Sequence, residues 1–145
     1  MSIYEDTFFM IYCCVLAGVF GAVLGSFLNC AAWRIAHGES FVKGRSHCTS
    51  CGHVLGFLDL IPVFSWIFLG GKCRYCKTKI SPRYMLTELF FALVSVLTLL
   101  RFDLSPEFVR NVVLACCLFC LSLVDLEIFE IPNGCVLIPV IAWFA

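Results

Sequence analysis

The chain has 145 residues, is 61% hydrophobic with a mean hydropathy of +0.98, and only 14% of its residues are charged. A soluble domain carries about a quarter charged residues, so this composition excludes a water-soluble globular protein and points to a membrane protein. Net charge is zero, yet eight of the ten lysines and arginines fall between Arg34 and Arg83. That segment is therefore expected on the cytoplasmic side, and no nucleic-acid partner is expected.

The first predicted element runs from Phe8 to Ala32 without a charged residue, enough for about 37 Å of helix against a hydrocarbon core of about 30 Å. Glu5 and Asp6 stand where a signal peptide would carry Lys or Arg, so the segment reads as an uncleaved span with the N-terminus outside. Ala17, Gly21, Gly25 and Asn29 recur every four residues. This small-residue stripe lets a neighbouring helix approach closely and offers one amide to it.

Residues 34–83 form the predicted cytoplasmic insert. It contains C-T-S-C at Cys48–Cys51 and C-R-Y-C at Cys73–Cys76, with twenty-one residues between the pairs. A two-residue gap turns both thiolates of a knuckle toward one ion, and a second knuckle about twenty residues later completes a tetrahedral set. Cys48, Cys51, Cys73 and Cys76 are thus predicted to hold structural Zn2+ in a small zinc-ribbon-like unit. Two disulfides or four unrelated thiols are the alternatives, and a reducing cytoplasm argues against the first. Arg45, Lys72, Arg74, Lys77 and Lys79 would balance the negative charge of a four-thiolate zinc centre. His37, His47 and His53 lie nearby, but a four-cysteine set is already closed. The other seven cysteines (Cys13, Cys14, Cys30, Cys116, Cys117, Cys120 and Cys135) sit in apolar runs as small hydrophobes.

Between the knuckles, Leu55 to Leu69 is apolar but interrupted by Asp59 and Pro62. Its length gives only about 22 Å of helix, and a crossing would put the two knuckles on opposite sides of the bilayer. A short membrane-surface element beneath the metal site is predicted. A second span follows from Tyr84 to Leu100, with Glu88 near its cytoplasmic end, either functional or a snorkelling or Arg83-paired carboxylate. A turn containing Ser105 and Pro106 leads into a third span, Phe108 to Val124, which ends at Asp125. Residues 84–145 thus form the last predicted region, and its final apolar run, counted from Ile131 to Ala145, reads as a fourth span cut off in mid-membrane.

Asp125, at the end of an apolar helix, is the predicted catalytic residue, because partial desolvation suits a carboxylate to handling protons. The other reading is a boundary carboxylate alongside Glu127 and Glu130. An aspartic hydrolase needs two carboxylates sharing one proton, and neither neighbouring glutamate is well spaced to be the partner. An acidic surface around Glu127 and Glu130 would suit a basic peptide leader.

Taken together, Gly25-Ser26-Phe27-Leu28-Asn29 with Arg34, the two cysteine pairs, D-L-I-P-V-F-S-W at Asp59–Trp66, Arg83-Tyr84 with Glu88, and Asp125 followed by Ile131-Pro132-Asn133 resemble the bacterial type IV prepilin peptidases. The resemblance implies an all-α polytopic inner-membrane enzyme that removes the basic leader from type IV prepilins and type II secretion pseudopilins. It implies that the enzyme then N-methylates the new N-terminal residue with S-adenosylmethionine. Asp125 matches the first of the family's two catalytic aspartates, and Gly71 and Lys72 match a pair linked with methyl transfer. The family's second aspartate lies in a Gly-x-Gly-Asp motif that these residues do not contain, and Met85 stands where proline is common. The alternative is a protease-inactive membrane scaffold whose zinc insert docks a partner in a pilus or secretion apparatus.

Overall fold

The computed structural model describes residues 6–40 and 44–128. Four α-helices are present among them: α1 (Thr7–Ala36), a short α2 (Phe64–Phe68), α3 (Pro82–Phe102) and α4 (Pro106–Ile128), with one turn of 3-10 helix at Phe57–Asp59. Only isolated β-bridges occur among the described residues. The run expected as a fourth span, together with Glu130, Ile131-Pro132-Asn133 and Cys135, lies outside them.

Helices α1, α3 and α4 are each long and apolar enough to cross a membrane, and they pack as an antiparallel bundle. At one end Leu28 and Ala32 of α1 meet Phe91 of α3 and Leu123 and Val124 of α4. At the other, Cys13 and Ala17 of α1 meet Leu99 of α3, with Phe108 of α4 against them. The outward faces are covered with exposed Phe, Leu and Val, as a lipid-facing surface requires.

The helices begin where local chemistry dictates. Asp6 caps α1, its carboxylate accepting from the Phe8 N–H at 2.9 Å. The Ser81 hydroxyl caps α3 with Pro82 in the first turn, where a missing N–H costs nothing. The resulting helix starts two residues before Tyr84 and ends two residues after Leu100. Helix α1 likewise continues past Ala32, because Arg34 is buried and donates to the carbonyls of Ser40 and Arg45 at 3.3 and 3.0 Å. Its 30 residues span about 45 Å, so its last turns reach beyond an apolar layer of about 30 Å.

The stripe at Ala17, Gly21, Gly25 and Asn29 is buried and is the seam between α1 and α3. A Cβ on Gly21 would run into the Phe91 carbonyl oxygen, and one on Gly25 would lie 2.9 Å from the Thr87 carbonyl oxygen and 3.0 Å from Glu88 Cα. Glycine here sets the interhelical distance.

A four-cysteine lobe and the cavity beneath it

Between α1 and α3 the chain folds into a lobe made from two knuckles of the same backbone design. In the first, Cys48 N–H donates to the His53 carbonyl, Gly52 N–H donates back to Cys48, and His47 bridges Val54. In the second, Cys73 N–H donates to Thr78, Lys77 N–H donates back to Cys73, and Lys72 bridges Lys79. Gly52 and Lys77 both have positive φ, 69° and 60°. This local repeat is invisible in side-chain identity because only the cysteines are shared.

The two knuckles bring all four Sγ atoms within 4.8 Å of one another, with Cys48 Sγ and Cys76 Sγ 3.8 Å apart. A tetrahedral ion with metal–sulfur bonds of about 2.3 Å sets sulfurs about 3.8 Å apart. The donor set therefore fits a four-coordinate metal ion, and the cysteines are free thiols rather than disulfides. Their electrostatics points the same way. The Thr78 hydroxyl and N–H favour the Cys76 thiolate and pull its pKa down to about 6. The His53 N–H favours the Cys51 thiolate, but desolvation and the neighbouring thiols prevail and push it up to about 11. Cys51 is thus the sulfur that resists ionisation, and a divalent cation would favour its thiolate. None of the three histidines joins the cluster. His37 stacks on Trp33 at 4.2 Å, His47 meets the edge of the same indole, and His53 lies against Tyr75.

The linker between the knuckles folds back over the bundle end as the 3-10 turn and α2, five residues long and far too short to cross. Asp59 fastens it to the second knuckle, with Oδ1 2.6 Å from Arg74 Nε and Oδ2 accepting from the Gly56 N–H. Desolvation opposes its ionisation, but the Gly56 N–H and the Arg74 guanidinium outweigh it and hold the carboxyl below the usual range. Glu88, buried in α3, accepts the Val63 N–H at 2.6 Å, and the Ser26 hydroxyl also donates to it. Val63 sits at φ 64°, ψ −54°, and Phe64 N–H donates to the Pro62 carbonyl across it. This is the strained form of the γ-turn, rare for a β-branched residue. The Glu88 contact to the linker was not legible from spacing alone.

Beneath the lobe lies a cavity of about 420 Å³, lined by Asn29 and Trp33 of α1, Tyr84 and Glu88 of α3, Trp66 of α2, and the inner surfaces of both knuckles. Gly71 and Lys72 do not line it. Gly71, at φ 65°, packs directly on the Trp66 ring, where an added Cβ would lie 2.8 Å from Cζ2. The Trp66 indole N–H donates to the Ile80 carbonyl at 3.2 Å, and Ile80 N–H donates to Gly71. Lys72 is exposed.

Asp125 is exposed in the last turn of α4, one residue after Val124, which packs against the lobe end of α1. The bundle thus carries Asp125 and the four-cysteine lobe at the same end.

Three membrane-length helices with a four-thiol lobe at one end define a polytopic α-helical membrane protein whose lobe could hold a metal ion. The chain belongs to the bacterial prepilin peptidases: residues 19–102 match the family described as Bacterial Peptidase A24 N-terminal domain. It is 40% identical over 114 residues to the prepilin leader peptidase/N-methyltransferase of Myxococcus xanthus (strain DK1622), covering 79% of this chain and 34% of that protein. It is 36% identical over 137 residues to the type 4 prepilin-like proteins leader peptide-processing enzyme of Escherichia coli O78:H11, covering 82% of this chain and 51% of that one. With the prepilin leader peptidase/N-methyltransferase of Bacillus subtilis (strain 168) it shares 36% identity over 115 residues, 79% of this chain and 46% of the relative. The chain thus spans a third to a half of the length of these relatives. No solved structure matches it.

Proposed function

We propose that the chain supplies the metal-bearing N-terminal region of an inner-membrane enzyme that cleaves the leader from type IV prepilins and related pseudopilins and N-methylates the new N-terminus. The observation that carries this reading is the placement of the four-cysteine lobe and Asp125 at one end of the bundle, in a chain whose family is prepilin-processing. The concentration of lysine and arginine in the lobe supports a cytoplasmic location for that end.

In this reading Zn2+ is structural. Cys48, Cys51, Cys73 and Cys76 fill all four positions, so the ion holds the two knuckles together and leaves no site for substrate or water. Asp125 is one of two carboxylates of an aspartic dyad, exposed at the bundle end where a peptide bond can reach it. The second carboxylate is the one the family carries in its Gly-x-Gly-Asp motif, because a single carboxylate cannot both activate water and protonate the leaving group. S-adenosylmethionine is the methyl donor. Gly71 serves methyl transfer by seating Trp66, and Lys72 supplies positive charge at the lobe surface.

The test is leader removal by the full-length gene product carrying Asp125→Asn. Cleavage is expected to disappear while zinc content and methylation of a pre-cleaved peptide persist. Cleavage at the wild-type rate would overturn the assignment. A wild-type protein that binds a pilus or secretion component yet neither cuts nor methylates would instead favour the scaffold role.

A further inference from the structure

The linker between the knuckles, residues 56–69, has two unlike faces. Asp59, Leu60, Ser65, Trp66 and Leu69 line the cavity. Phe57, Leu58, Phe64, Ile67 and Phe68 do not line it and are exposed, Phe57 to 83% and Phe68 to 84%, with the rings of Phe64 and Phe68 stacked at 6.5 Å. A group of large exposed apolar side chains of this kind marks an interaction surface.

Depth decides what that surface meets. The linker is fastened at Val63 to the Glu88 carboxylate, which lies about 9 Å along α3 from its start at Pro82. Ser26 of α1 donates to the same carboxylate. The chain neighbours of these two residues, Phe27 on α1 and Leu86, Leu89 and Phe90 on α3, belong to the exposed apolar surface of the bundle. The middle of the linker is therefore level with the lipid-facing surface, below the start of α3 rather than above it.

The linker's chemistry suits that depth. Asp59 is the single charged residue of 56–69, and it is paired with Arg74 and the Gly56 N–H. Backbone at membrane depth must find its hydrogen-bond partners within the protein. The N–H groups of Leu60, Ser65, Ile67 and Leu69 donate to carbonyls of the linker itself. Pro62 has no N–H, and the Val63 N–H is taken up by Glu88.

We propose that residues 57–68 form a re-entrant element whose outer face lies among the phospholipid acyl chains of the leaflet on the lobe side, continuing the lipid-facing surface of α1 and α3. This is deeper than a surface element resting on the headgroups. Glu88 sets the depth, and the bilayer backs one wall of the cavity. The inference does not depend on the prepilin-processing reading.

The test places p-benzoyl-phenylalanine, a photo-crosslinking aromatic residue, singly at Phe57, Phe64 or Phe68, with Phe27 as the lipid-facing reference. Both this chain and the full-length gene product are reconstituted into vesicles of phosphatidylethanolamine and phosphatidylglycerol, irradiated and analysed by mass spectrometry. The expected result is phospholipid adducts attached through acyl-chain carbons at Phe64 and Phe68, in yields within about threefold of Phe27, as equal exposure to hydrocarbon implies. Phe57 should behave likewise. The three positions are read separately, so a substitution that disturbs folding at one leaves the other two to decide. Adducts confined to headgroup or glycerol carbons, crosslinks to another segment or a second copy in place of lipid, or no lipid adduct where Phe27 gives one, would each overturn the proposal.

Discussion

Replacing Gly71 with alanine is the sharpest single-atom perturbation of the lobe, and Gly70 provides its control. Both glycines have positive φ, 60° and 65°, but a Cβ on Gly70 meets nothing within 4 Å, whereas one on Gly71 strikes the Trp66 ring at 2.8 and 3.0 Å. Left-handed backbone costs an L-residue about 1–2 kcal/mol, so Gly70→Ala should lose about that much. Gly71→Ala adds the cost of displacing an indole in a packed site, about 1–3 kcal/mol more. The Trp66 N–H bond to the Ile80 carbonyl breaks with that displacement. Thermal unfolding followed by tryptophan emission reads both effects. Gly71→Ala should lower the transition further and red-shift the native emission, while Gly70→Ala leaves the native spectrum unchanged. Equal destabilisation by the two substitutions, or an unshifted Gly71→Ala spectrum, would refute the seating of Trp66 on Gly71.

The remaining predictions concern the bundle and the linker. Gly25→Ala should cost about 1–3 kcal/mol through forced separation of α1 and α3, its Cβ lying 2.9 to 3.2 Å from Thr87, Glu88 and Phe91. Gly18→Ala, whose Cβ would meet only Val96 at 3.5 Å, should be neutral or stabilising by up to about 1 kcal/mol of helix propensity; Tm values that rank the pair in the opposite order would contradict the packing of the seam. Val63→Gly should change stability by no more than about 1 kcal/mol, because relief of a strained turn worth about 1–3 kcal/mol offsets the lost apolar contacts and backbone entropy. A loss of about 3 kcal/mol in denaturant unfolding would show that the turn stores no strain.

Much of the architecture was legible because it follows from one-dimensional rules. Long, mostly apolar runs gave the three spans, the four-residue recurrence at Ala17, Gly21, Gly25 and Asn29 gave the α1–α3 seam, and cysteine spacing gave the four-thiol cluster. The helices run a few residues beyond the expected spans Phe8 to Ala32 and Tyr84 to Leu100. Arg34 is in fact buried on two carbonyls, and Ser81-Pro82 is a cap and first turn. The cavity was not legible at all. Asn29, Trp33, Trp66, Tyr84 and Glu88 come from three separated segments, and nothing in their spacing says that they meet. Gly71 shows the same limit, since its role depends on a tryptophan five residues earlier curling back over it.

The account depends most on a lobe closed by one ion at four sulfurs. X-ray absorption at the zinc edge, with metal content measured on the same purified chain, tests this directly. The expected result is one zinc per chain with four sulfur neighbours at about 2.3 Å and no nitrogen or oxygen in the shell. A metal-free chain with paired disulfides, or a shell containing histidine nitrogen or water, would contradict it.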